Sequence, residues 1–344
     1  MITTVIVSII AIGLLIFFHE LGHFIMAKKI GVRVEKFSLG FGPELIGFTK
    51  GETRYLISLI PFGGYVKMAG ENSSEREGGM PWEFNMRSTG ERMLIIFFGP
   101  LFNFILAFLL FVIVFKIGVV SFNIDTTIIG KISEGYPAQT AGLLPDDKII
   151  SINNEKVSSW VEVQGNIRKG IEHPLNIKVL RGTKEMEFKI LPEWDKGEMR
   201  KIIGISPQES IKKFSIPGAI YEGFLHAISL TYAILKGLVL IIFGKVKADI
   251  AGPIGIIQML GTQARSGITS LLYFVGFLSI NLTIINLFIP IPITDGGLIL
   301  LLGIEKLKGK PVSDKNRQLL EQIGLVLLIT LMVFATFKDI MRIR

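Results

Sequence analysis

Residues 19–23 read His-Glu-Leu-Gly-His. Residues four apart share one face of a helix, so His19 and His23 can grip a single metal ion. Glu20, beside His19, is placed to take the proton from a metal-bound water. The pentad lies inside an apolar run that opens at Ile2 and closes before Lys28. Ionisable side chains at membrane depth are costly and demand a functional reason, which a bound zinc ion would supply. A second polar position follows another apolar run, in Asn286-Leu287-Phe288-Ile289-Pro290-Ile291-Pro292-Ile293-Thr294-Asp295-Gly296-Gly297. Prolines in a span free backbone carbonyls, which is tolerated where irregular backbone lines a cavity. By itself an Asp-Gly-Gly at a helix end is as readily a turn. Beside His-Glu-x-x-His in another span, Asp295 becomes the natural third ligand of a zinc site whose fourth position is left for water. The sequence has no cysteine, so a metal must be held by His, Asp or Glu.

These residues need a membrane scaffold, and the composition is consistent with one. Of 344 residues, 49% are hydrophobic and 19% charged, with a mean hydropathy of +0.53, unlike soluble globular averages. The net charge of +8 comes from Lys and Arg in short segments flanking apolar runs. That pattern fits topology determinants and argues against a nucleic-acid surface. Runs long enough to span are Thr4–Ala27, Met93–Val120, Ser270–Ile293 and Ile323–Phe337. Ile216–Phe243 carries Glu222, His226 and Lys236 and suits an interfacial amphipathic helix better than a span. Lys28, Lys29, Arg33 and Lys36 put the end of the first span in the cytoplasm and the N-terminus outside. The tail residues Lys338, Arg342 and Arg344 then fall outside, against that rule. With no basic segment before it, the first run does not read as a cleavable signal.

Between the first two spans, Phe37, Leu39 and Phe41, then Tyr55, Ile57 and Leu59, alternate as strands do, with Gly-rich turns expected at 40–42 and 63–64. From pattern alone this β-hairpin packs against the helices, or else dips into the bilayer and offers a strand edge; the first is the simpler reading. Residues 124–207 regain charge and alternate as short strands (Ile128–Ile132, Lys148–Ile152, Leu175–Leu180, Met186–Ile190). Pro137-Ala138-Gln139-Thr140-Ala141-Gly142-Leu143, then Asp147-Lys148-Ile149 and Ile152-Asn153, resembles the PDZ domain, although Asp146 stands where many relatives carry Gly. PDZ grooves bind extended peptides by strand addition; the alternative is a spacer without a ligand.

With those motifs in place, nearly the whole chain resembles the site-2 protease family of intramembrane zinc metalloproteases, in its bacterial regulator-of-sigma-E branch. His19 to His23 match the family's zinc motif, Gly99-Pro100-Leu101-Phe102-Asn103-Phe104 its second-span motif, Ala251-Gly252-Pro253-Ile254-Gly255-Ile256 its Gly-Pro segment, and Asp295-Gly296-Gly297 its Leu-Asp-Gly element. Thr294 replaces the usual Leu, and Asn286 lies one residue farther from the Asp than the pattern has it.

The resemblance implies Zn2+ held by His19, His23 and Asp295, with Glu20 as catalytic base, hydrolysing peptide bonds in the transmembrane segment of single-pass membrane proteins. It implies a membrane-reentrant hairpin at 34–70, reversing the simpler reading above. It offers Asn103 and Asn286 as contacts to substrate backbone, with an interhelical hydrogen bond the alternative for Asn103 and the register of Asn286 against its role. Relatives cleave anti-sigma factors or remnant signal peptides.

The expectation is therefore an α-helical membrane protein of about four transmembrane helices, with a membrane-associated β-hairpin and an inserted β-rich PDZ-like domain. Its domains are a membrane core at 1–123, the insert at 124–208, an amphipathic segment at 209–269 and the second half of the core at 270–344. It would sit in a bacterial inner membrane with its N-terminus and insert extracytoplasmic, its partners being the lipid bilayer, its substrates and a peptide at the PDZ-like groove. Two rivals are a membrane-anchored adaptor with a dead zinc motif, against which the intact Glu20 argues, and a transporter, against which the absence of an inverted repeat argues.

Overall fold

The apolar run carrying the pentad folds as one helix, α1 (Ile2–Ile30), in a computed structural model that describes residues 2–71, 79–169, 173–195, 200–246, 251–310 and 312–343. Its 29 residues span about 43 Å at 1.5 Å per residue, more than the roughly 30 Å of a hydrocarbon core. The helix stops at Gly31, which takes a φ of +85°, while the Val32 N–H turns back to the Ala27 carbonyl at 2.8 Å.

The strands β1 (Val34–Lys50) and β2 (Thr53–Met68) follow as an antiparallel pair. Gly40 (φ +92°), Gly42 (+87°) and Gly63 (+120°) bend the strands instead of ending them, and a third turn at Gly51 and Glu52, not foreseen from sequence, closes the tip. Phe37 consequently pairs with both Val66 and Tyr55, and Leu39 with both Gly64 and Ile57. The hairpin is thus folded back into four segments, with 34–39 between 64–68 and 53–57, and 44–50 outermost. Phe41, Leu45, Ile46, Phe48, Ile57 and Ile60 are exposed on it.

Helix α2 (Thr89–Ile117) starts from a reciprocal cap: the Ser88 N–H reaches Glu91 Oε2 at 2.9 Å, and the Glu91 N–H returns to Ser88 Oγ at 3.3 Å. The chain then forms a separate compact unit, Gly118–Lys213. Its elements are β3 (Val119–Phe122), β4 (Ile129–Ile132), the one-turn α3 (Pro137–Thr140), β5 (Lys148–Ile152), β6 (Glu155–Lys156), α4 (Trp160–Lys169), β7 (Leu175–Arg181), β8 (Lys184–Ile190), β9 (Glu193–Asp195), β10 (Arg200–Ile202), β11 (Ile205–Pro207) and β12 (Glu209–Lys212). A four-stranded sheet of order β6-β5-β7-β8 and pairs β3–β12, β4–β11 and β9–β10 make it β-rich, around a core that includes Ile129, Leu143, Ile149, Trp160 and Ile177. The β3–β12 ribbon extends the unit beyond the expected 124–208 at both ends. Asp146 has a φ of +69°, the left-handed region that Asp tolerates better than most residues. Next to it, burial opposes ionisation of Asp147, yet the Arg181 guanidinium at 2.7 and 2.8 Å and the Leu144 N–H at 2.9 Å hold its carboxyl below the usual carboxylate range.

The chain returns to the first unit through α5 (Ile216–Ile242), α6 (Pro253–Ser266), α7 (Ile268–Phe288), α8 (Asp295–Lys308) and α9 (Asp314–Ile343). Among the described residues, five helices (α1, α2, α5, α7 and α9) are long and apolar enough to cross a membrane by length and composition. The segment expected to be amphipathic is thus one continuous helix of 27 residues. Its buried residues are Ala219, Gly223 and Ala227, four apart, and a Cβ on Gly223 would lie 2.9 Å from the Val112 backbone of α2. Such small-residue faces pack helices closely in membranes. Helix α7 stops at Phe288, short of the expected Ile293, because Pro290 and Pro292 cannot continue it. Helix α9 begins nine residues before the expected Ile323.

The Gly252-Pro253-Ile254-Gly255 motif is the start of α6, and its partner is remote. Asp339 of α9, 2% exposed, takes the Gly252 N–H at 3.0 Å and the Gly255 N–H at 2.8 Å. A Cβ on Gly252 would meet Asp339 Oδ2 at 2.5 Å, so the glycines make room for the carboxylate.

Candidate metal centre

Helix α1 presents His19 and His23 on one face, and α8 brings Asp295 to them as its first residue. His19 Nε2 and His23 Nε2 are 3.2 Å apart, His19 Nε2 lies 3.2 Å from Asp295 Oδ2, and His23 Nε2 lies 3.5 Å from Asp295 Oδ1. Ligands of a tetrahedral zinc bound at about 2.0–2.1 Å stand about 3.3–3.4 Å apart, so the donors have the spacing that the ion requires. Asp295 Oδ2 is buried without a hydrogen-bond donor. Two imidazole nitrogens and a carboxylate converging on such an oxygen fit zinc. Among the described residues this is the one group of three or more potential ligands close enough to share an ion.

The outer nitrogens are held as metal-binding histidines require. His23 Nδ1 is 3.0 Å from the Ile95 carbonyl of α2, which places its proton on Nδ1 and frees Nε2. Asn103, fully buried, has Nδ2 3.3 Å from His19 Nδ1, while its Oδ1 has no partner. Amide orientation is an assignment made from hydrogen bonding. With the amide turned, Oδ1 accepts the His19 Nδ1 proton and His19 Nε2 is likewise free. The Asn103 backbone carbonyl accepts from Ser279 Oγ at 2.7 Å, and that of Pro100 from Thr283 Oγ1 at 3.2 Å, which ties α2 to α7.

Several supporting residues carry no chemistry of their own, and the sequence reading quoted them as motif positions without seeing their packing role. A Cβ on Gly22 would fall 2.1 Å from the Phe98 carbonyl oxygen, and one on Gly99 2.2 Å from His23 Nε2. Helices α1 and α2 meet at the metal centre only because both positions lack a side chain. Gly296 and Gly297 likewise rest on the carbonyls of Leu287 and Ile291. Thr294, the departure from the family's Leu, is the N-cap of α8.

Glu20 lies next to His19, with its Cγ 3.2 Å from where a Cβ on Gly64 would be, so the last segment of β2 closes over it. After β2, the Glu71 carboxyl takes the Met68 N–H at 3.4 Å; burial pushes it above the usual carboxylate range. It lines a cavity of about 30 Å³ with Arg92, Glu305 and Arg317, large enough for water. Asn286 sits on the last turn of α7, with its backbone carbonyl 3.0 Å from where a Cβ on Gly296 would be, and makes no side-chain hydrogen bond among the described residues. His173 is exposed. His226 packs on Phe111 and Phe115 and reaches the Tyr273 hydroxyl at 3.1 Å.

Comparison with known proteins gives this centre a context. The Bacillus subtilis protein named regulator of sigma-W protease RasP is 31% identical over 421 residues, covering 99% of both chains. Zinc metalloprotease RasP of Geobacillus kaustophilus is 31% identical over 420 residues, covering 98% of each. A Clostridium acetobutylicum protein provisionally described as a zinc metalloprotease is 36% identical over 337 residues, 98% of this chain and 97% of its own. The model of peptidase family M50 matches residues 7–331. The chain belongs to peptidase family M50, the site-2 proteases, and is a zinc-dependent metalloendopeptidase of regulated intramembrane proteolysis.

Proposed function

We propose that His19, His23 and Asp295 hold the zinc ion and that Glu20 is the catalytic base, in an endopeptidase that cuts within the transmembrane segment of single-pass proteins. The observation that carries this reading is the convergence, within 4.8 Å, of three ligand atoms from helices some 270 positions apart in sequence. A zinc ion held by these residues would supply an acidified water and a polarised peptide carbonyl. The Glu20 carboxylate takes the proton of the attacking water and hands it to the leaving amine nitrogen. Asn103 and the Ile95 carbonyl keep the two imidazoles turned inward; this positioning role suits a fully buried Asn103 better than contact with substrate. The resemblance makes anti-sigma factors the substrate class, in keeping with a relative named regulator of sigma-W protease, with remnant signal peptides the second candidate. In purified protein, His19→Ala, His23→Ala and Asp295→Asn should each lose zinc together with cleavage of a single-span substrate. Full zinc content and normal cleavage in Asp295→Asn would remove that residue from the ligand set.

The centre also constrains topology. It joins the last third of α1 to the start of α8, so both lie toward the side where Lys28 and Lys29 end α1, which the basic residues assign to the cytoplasm. Helix α2 runs away from that side and α7 runs back to it. Helix α9 starts near α8 and carries, near its far end, Asp339, which holds Gly252. The Phe214 N–H bonds to the Phe115 carbonyl at the far end of α2. Both ends of the segment 214–252 are then on the outer side, so α5 does not cross, despite its length. Four helices span, and the insert, a PDZ-like domain able to take an extended peptide, is extracytoplasmic. Cysteines at Glu155 and Lys245 should react with an impermeant maleimide added outside bacterial cells, and one at Gly90 should not. Protection of Lys245→Cys alone would make α5 a fifth span.

A further inference from the structure

Thr294 is 7% exposed and directly precedes Asp295. Its Oγ1 lies 2.9 Å from the Ile289 carbonyl and 2.9 Å from the Ile291 carbonyl, and accepts the Gly297 N–H at 3.4 Å. A hydroxyl has one proton to give, so this one is shared between the two carbonyls while a lone pair takes the Gly297 N–H. The Thr294 N–H adds a bond to the Ile291 carbonyl at 2.9 Å, and the Leu298 N–H bonds back to the Thr294 carbonyl at 3.0 Å. One residue therefore joins the proline-containing turn to the first turn of α8.

We propose that Thr294 is a positioning residue of the metal centre: its hydroxyl fixes where α8 begins, and so the direction in which Asp295 meets His19 and His23. This rests on the reading of Asp295 as a zinc ligand. The packing explains why a hydroxyl is needed. A Cβ on Gly296 would fall 2.3 Å from the Leu287 carbonyl oxygen, and one on Gly297 2.0 Å from that of Ile291. The first turn of α8 thus lies directly on the carbonyls of the preceding turn, and a displacement of that turn is passed on to Asp295. Pro290 and Pro292 supply no N–H to those carbonyls. The Ile289 carbonyl also takes the Ile291 N–H at 2.8 Å and the Ile291 carbonyl the Thr294 N–H at 2.9 Å, so the hydroxyl adds a side-chain tie to carbonyls that the backbone already holds.

The test measures zinc affinity by chelator competition, and the visible spectrum of the cobalt-substituted protein, in detergent. Thr294→Val keeps the shape and removes the hydroxyl. It should weaken zinc binding by about 10–100-fold, as losses behind a ligand do, and alter the cobalt bands. Thr294→Ser keeps the cap and should restore both. Added to Asp295→Asn, Thr294→Val should cause no further loss. Thr294→Ala replaces the valine variant if that does not accumulate. Parental zinc affinity and spectrum in the hydroxyl-free variant, beside a clear loss in Asp295→Asn, would overturn the role of Thr294 and leave the ligand set standing. A loss in Thr294→Ser as large as in Thr294→Val would also overturn it. Parental affinity in Asp295→Asn would overturn the ligand assignment, and this inference with it.

Discussion

Glu20→Gln should cut peptide cleavage by about 100-fold or more while zinc stays in place. Glutamine has nearly the shape of glutamate and can still form hydrogen bonds, so the fit beneath Gly64 of β2 is kept. What disappears is the capacity to accept the proton of the attacking water and return it to the amine nitrogen. A positioned acid–base group contributes about 10²- to 10⁴-fold, so turnover of a truncated single-span substrate should fall by at least that factor. Metal content and chelator affinity should match the parent, because the two histidines and Asp295 are untouched. Parental turnover in this variant would refute the role of Glu20 and remove the main argument against a catalytically dead adaptor.

Gly99→Ala should empty the centre without touching a ligand. The new Cβ would stand 2.2 Å from His23 Nε2 and 2.4 Å from Cε1, far inside van der Waals contact. The imidazole cannot simply slide aside, since its Nδ1 edge is held at 3.0 Å by the Ile95 carbonyl. Either that bond breaks or α2 withdraws from α1, and in both cases Nε2 leaves its place beside His19. Zinc affinity should fall by about 100-fold or more, at least the range seen when metal-supporting groups are removed, and activity with it. Gly13→Ala in α1 is the control. A Cβ there meets nothing within 4 Å, and alanine is the better helix former by about 1 kcal/mol. Parental metal binding in Gly99→Ala would show that the two helices can separate without cost to the site.

His19, Glu20 and His23 were legible because a helix converts a spacing of four into a shared face. Asp295 was legible only as a partner for them, since an Asp-Gly-Gly alone also describes a turn. Gly22, Gly99 and Thr294 could not be read in this way. The glycines act by lacking atoms that a neighbouring helix would hit, and no periodicity encodes which helix is the neighbour. Thr294 acts on carbonyls of an aperiodic turn. The hairpin shows the same limit: alternation identified its strands and glycines marked its bends, yet pairing of Phe37 on both sides depends on the chain folding back. In α5 the charged residues drew attention to one face, while Ala219, Gly223 and Ala227 formed the contact with α2.

The carboxylate of Asp339 has a consequence for how the protein is made. It lies 84 positions after Gly255 in the sequence, yet it supplies the acceptor for two backbone N–H groups at the start of α6. A ribosome delivers Gly252 and Gly255 well before Asp339, and until then those donors have no protein partner. Each buried donor left unpaired costs about 1–3 kcal/mol. The nascent core is thus incomplete until Asp339 has been made. A chain released early, before Asp339, would carry all three zinc ligands on a scaffold whose α6 is not anchored, and would be a ready target for quality control.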